Sequence, residues 1–160
     1  MPKRRGEIDM QASMSRRATL ILAGLAVTGS VDLAHAAPVS MTVELTGAQQ
    51  VPPVQTSGSG TAKLTYEATT RVLSWTVTYS GLSSPATMAH FHGPAETGKN
   101  AGVKLWISKK GEPVASPITG TSTLSEADAK EFLAGQWYVN VHTNDHPGGE
   151  IRGQVTPSES

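Results

Sequence analysis

Leu73-Ser74-Trp75-Thr76-Val77-Thr78-Tyr79 carries an apolar side chain at every second position, the period of a half-buried strand and not of a helix. Leu73, Trp75, Val77 and Tyr79 therefore share one face, with hydroxyl residues on the other. The preceding stretch behaves alike. Ala62, Leu64 and Tyr66 alternate with polar residues after Gly58-Ser59-Gly60 restarts the chain, so the two segments are expected to form a hairpin across residues 67–71. Upstream, Met41, Val43 and Leu45 alternate with Thr42 and Glu44, and Gln49-Gln50-Val51-Pro52-Pro53 ends that strand because proline cannot continue a central ladder.

Downstream, residues 88–92 and 103–108 read as strands around a Gly-rich polar loop from Gly93 to Gly102, and the Thr-rich stretch from Ile118 to Leu124 reads as another. Ser125 precedes Glu126 and Asp128, an N-cap with acidic residues in the first turn, and Gly135 stops the short helix that follows through Phe132 and Leu133. Trp137 to His142 and Glu150 to Val155 close the chain as strands. Many short strands with turn signals between them, and one short helix, predict an all-β, antiparallel sandwich or barrel.

Composition narrows the function classes. The chain has 160 residues, 13 Lys+Arg against 13 Asp+Glu, and no Cys. Charge balance argues against an extended nucleic-acid surface, and the absence of Cys removes disulfides, thiolate metal sites and cysteine nucleophiles, so any metal must be held by nitrogen or oxygen. The balance is uneven along the chain: Lys3, Arg4, Arg5, Arg16 and Arg17 all precede the apolar run Ala18 to Val27, which leads into Ala34-His35-Ala36. A basic stretch, a short apolar run and an A-x-A end are the parts of a secretory signal peptide, expected to be cut after Ala36. Residues 37–160 would then form one mature domain with its core over about residues 40–156, mildly acidic, periplasmic or secreted, with no membrane span. Ser15-Arg16-Arg17-Ala18-Thr19-Leu20 resembles the twin-arginine export motif, with an ordinary Sec signal as the alternative. Translation from Met14 would leave a serviceable leader.

Four of the five histidines are informative. In Met88-Ala89-His90-Phe91-His92-Gly93-Pro94, His90 and His92 lie two apart on a strand and share a face, while Phe91 takes the other. Trp137, Val139 and Val141 form the apolar face of a later strand, which turns Tyr138, Asn140 and His142 the opposite way. In the last strand Glu150, Arg152 and Gln154 oppose Ile151, Gly153 and Val155. If these strands are neighbours, His90, His92, His142 and Arg152 gather on a surface face outside the core. Three imidazoles are a sensible ligand set for copper, or less favourably zinc, with His146 as a candidate fourth. Met88 shares the face of His90, but methionine there suits packing. The second reading has no metal: the histidines pair with Asn140, Glu150 and turn backbone to brace the loop after Thr143, in a non-catalytic interaction or structural module.

Other chemistries lack their residues. No G-x-S-x-G elbow occurs. Glu126, Asp128 and Glu131 read as a solvated helix face, and Asp145 with Glu150 are too few for a calcium cage.

Four ordered motifs resemble the CHRD (chordin) domain family, found in chordin and as stand-alone exported bacterial proteins. They are Leu45-Thr46-Gly47-Ala48-Gln49-Gln50-Val51-Pro52-Pro53, Ala89-His90-Phe91-His92-Gly93-Pro94, Tyr138-Val139-Asn140-Val141-His142-Thr143 and Pro147-Gly148-Gly149-Glu150-Ile151-Arg152-Gly153-Gln154. The resemblance implies an immunoglobulin-like Greek-key β-barrel and no settled activity. More distantly the pattern is similar to copper-zinc superoxide dismutase. That likeness implies copper ligands at His90, His92 and His142 and an anion-guiding Arg152. The chain departs from it in having no histidine between His92 and His142 to bridge two metals, no zinc loop and no cysteine. Weak dismutation at most is implied, since fold likeness alone does not carry chemistry.

Overall fold

The computed structural model describes residues 37–157; the leader expected over residues 1–36 lies outside the described residues. Eight strands and one α-helix follow in chain order, with a single 3-10 turn at Gly47–Gln49 after the first strand: β1 (Val39–Thr46), β2 (Ser59–Glu67), β3 (Val72–Ser80), β4 (Ala86–His92), β5 (Val103–Trp106), β6 (Ile118–Thr123), α1 (Glu126–Leu133), β7 (Tyr138–Thr143) and β8 (Ile151–Gln154). The all-β expectation holds. All strands join one antiparallel sheet in the order β5-β4-β7-β8-β1-β2-β3-β6.

Between β8 and β1 the ladder narrows to the pair Thr46 and Arg152. The sheet curls, so its two halves face each other across the core. The rings of Trp75 on β3 and Phe91 on β4 meet edge to face at 5.7 Å although their strands stand near opposite ends of the sheet order. Phe91 also packs on Trp137, and Phe132 of α1 packs on Trp137 and Tyr66. Burying each such side chain contributes about 1.5–3 kcal/mol.

The β2–β3 hairpin is as the alternation predicts. Ala62 faces Val77, Leu64 faces Trp75 and Tyr66 faces Leu73, all buried, while Lys63 and Thr65 are exposed. Helix α1 is capped by the Ser125 hydroxyl, which accepts from Asp128 N–H, and it gives way to Gly135 at φ +71°. Its acidic face is less solvated than expected: Lys104 of β5 pairs with Asp128 at 3.0 Å and Glu131 at 2.7 Å, and Trp137 Nε1 donates to Glu131. This corrects the reading of a free acidic face and ties edge strand β5 to the helix. Among the described residues no helix is long and apolar enough to cross a membrane.

Candidate metal centre

Strands β4 and β7 pair directly, with His90 opposite Asn140, His92 opposite Tyr138 and Met88 opposite His142. Register therefore brings the three histidines from two adjacent strands onto one face, as the two-residue period requires. One nitrogen from each of His90, His92 and His142 lies within 4.8 Å of the others.

The cluster is not on the surface. His90, His92 and His142 are 3%, 8% and 6% exposed, and every residue of β7 is buried on both faces. The period assigned the faces correctly, but loops cover the second one. The loop between β4 and β5 lays the Ala101 carbonyl 3.0 Å from His92 Nδ1, and the β7–β8 loop lays the Pro147 carbonyl 2.9 Å from His142 Nδ1. Trp106 of β5 stands perpendicular to His90 with ring centroids 4.2 Å apart.

These contacts fix proton positions. A carbonyl only accepts, so the Nδ1 atoms of His92 and His142 carry their protons and their Nε2 atoms present lone pairs. His142 Nε2 lies 3.2 Å from His90 Nδ1. The Nε2 atoms of His92 and His90 are buried and have no hydrogen-bond partner among the described residues. Buried polar atoms are almost always satisfied, so two unpartnered imidazole nitrogens in one cluster suit a ligand held there. A backbone carbonyl holding the remote N–H is also how a metal-binding histidine is oriented.

Electrostatics agree. Burial, and then the nearby His142 and His92, push the His90 pKa down to about 4. Burial likewise lowers His92 and His142, against the opposing pull of their carbonyl partners. All three rings are thus neutral near pH 7, the state in which imidazole donates to a metal. Three neutral nitrogen donors fit copper or zinc. The metal would bring Lewis acidity, and for copper a redox couple.

The remaining expected site residues do not join this trio. His146 is half-buried in the β7–β8 loop, where its N–H bonds Thr143 Oγ1, and it is not part of the three-histidine group. Asn140 accepts from Gln50 and donates to Gly148 O, so it braces loops beside His90. Gly149 lets that loop come close: its φ is +117°, and a Cβ there would collide with the Asn140 amide. Glu150 is fully buried away from the histidines' hydrogen bonds. It accepts from Thr56, from the Ser83 N–H and hydroxyl, and from Thr143. Burial alone would raise its pKa, but these bonds outweigh burial and hold it below the usual carboxylate range.

Arg152, opposite Asn140, shares the histidines' face of the sheet, as the alternation predicts, but among the described residues it has no hydrogen bond to them. Its guanidinium lies 3.5 Å over the Tyr138 ring, and Tyr138 stacks on His92 at 5.0 Å. The order β4-β7-β8 places Tyr138 between the two. Sequence reasoning had no role for Tyr138 or Trp106. Tyr138 was visible in the alternation of β7, but Trp106 meets His90 only through the β4–β5 register.

The model of the CHRD domain matches residues 41–155, from within β1 to just past β8, and so includes every residue of the centre. No curated protein and no solved structure matches the chain. Since the match covers well over half of its length, the chain belongs to the CHRD domain family.

Proposed function

We propose that this CHRD domain is an exported copper-binding protein whose ligands are His90, His92 and His142. The observation that carries the reading is the trio of converging nitrogens, with the His92 and His142 N–H groups tied to backbone carbonyls and the His90 and His92 Nε2 atoms buried without partners. Copper is preferred over zinc because an all-nitrogen site lies higher in copper affinity. Binding, not turnover, is the proposed role. Among the described residues the cluster holds no further histidine or carboxylate to bridge a second metal or deliver a proton, so the copper-loaded protein is expected to show at most weak superoxide dismutation in a xanthine oxidase assay. Export rests on the leader features of residues 1–36, and mass spectrometry of the exported chain should find it beginning at Ala37.

A metal-free brace is the second reading, favoured by the 3.2 Å His90–His142 contact and the Pro147 bond, which hold the β7–β8 loop without an ion. Copper titration separates the two. About one equivalent should quench the fluorescence of Trp106, and His90→Ala or His142→Ala should weaken binding by at least about tenfold, whereas His35→Ala should change nothing. Equal affinity in wild type and both variants would leave the brace.

A further inference from the structure

Arg152 is 2% exposed, yet no ion pair among the described residues involves it. Its bonded partners are neutral: Asn100 Oδ1 at 3.0 Å, Lys99 O at 2.7 Å and, more weakly, Gln154 Oε1 at 3.5 Å. A guanidinium has five N–H donors, so two remain unused. A buried charge is normally matched by an opposite one, because desolvation costs several kcal/mol per ion. Burial also lowers the Arg152 pKa, with the neighbouring Tyr138 opposing that shift.

Although buried, the side chain borders open space. It lines a cleft of about 360 Å³ whose other walls include Ala48, Val51, Pro53 and Thr97. Asn100 fixes this wall from both sides, accepting from Arg152 and donating to Val51 O at 2.8 Å. A cation beside mostly apolar walls, with Gln49, Gln50 and Gln154 as further polar groups, matches an anion that carries an apolar body, and the volume is in the range of small-ligand sites. The Tyr138 ring separates this cleft from the histidines. We propose that the cleft binds a small organic carboxylate, with Arg152 as its charge partner, at a site distinct from the histidine centre and independent of metal.

The test uses chelator-treated protein, so it does not depend on the copper reading. The Arg152 Nε–H resonance is followed by NMR during titration with benzoate, acetate or sulfate. Benzoate should give a saturable shift, with sulfate weaker by about tenfold. Thr97→Trp, at an exposed rim position, should block the cleft without touching the fold and weaken benzoate by at least about tenfold. No saturable shift with any anion, or a benzoate response unchanged in Thr97→Trp, would overturn the site. Sulfate binding as tightly as benzoate would overturn the assignment to an organic carboxylate.

Discussion

The β2–β3 hairpin and the β4–β7 pair are built alike and end differently. Both are antiparallel, and both put apolar side chains on one face at every second residue. In the hairpin the other face meets water at Lys63, Thr65 and Thr78. In the β4–β7 pair the other face holds His90, His92, Tyr138, Asn140 and His142, all buried. The same period thus gives a simple amphipathic sheet in one half of the fold and a covered polar layer in the other. What differs is the loops: carbonyls at Ala101, Pro147 and Gly148 satisfy the ring and amide N–H groups that water would otherwise take. A polar layer held that way costs stability when any member is lost.

The largest effect should come from the hairpin's buried face. Leu64, 1% exposed and opposite Trp75, should cost about 2–5 kcal/mol when changed to Ala, measured by urea unfolding. Copper affinity of the folded fraction should stay as it was. A loss of copper binding at full folding would show that the two halves are coupled and break the contrast.

The next effect sharpens it. Asn140→Ala removes the acceptor for Gln50 and the donor to Gly148 O, leaving the buried Gln50 amide unpaired at about 1–3 kcal/mol. The matching change on the hairpin's outer face, Thr65→Ala, should stay within about 0.5 kcal/mol. Similar values for both would mean that the β7 face is as wet as the hairpin's.

Acid should act on the covered half. In the metal-free protein His90 titrates at about 4, against 6.5 when unperturbed. Between those values the unfolded chain binds the extra proton, so stability is full above pH 6.5 and falls as pH drops toward 4. Glu150, held low by its hydrogen bonds, adds a further loss as pH falls through its ordinary value of 4.5. Thermal melts from pH 7 to 4 should show this decline, and His90→Gln should flatten the upper part. A flat wild-type profile would contradict burial of the cluster.

Much of this was legible from residues alone. Every strand was located, because alternation and the Gly and Pro breaks mark strands whatever their neighbours, and Ser125 and Gly135 marked the helix ends. The pairing of His90, His92 and His142 followed from their shared face once β4 and β7 were taken as neighbours. Their burial did not, because periodicity reports which way a side chain points and is silent on what covers it. Arg152 does share the histidines' face, but what Glu150 and Arg152 bond was not visible: Glu150 is claimed by Thr56 and Ser83 on distant segments, and Arg152 is screened by Tyr138 on the intervening strand. Those facts depend on loop paths that no local pattern encodes.

Pulsed EPR on the protein loaded with one equivalent of Cu²⁺ counts the imidazoles coupled to the ion. The account predicts three in the wild type, with one coupling lost in each of His90→Ala, His92→Ala and His142→Ala and none lost in His146→Ala. Fewer than two couplings in the wild type, or a spectrum unchanged by the His90 and His142 substitutions, would contradict it.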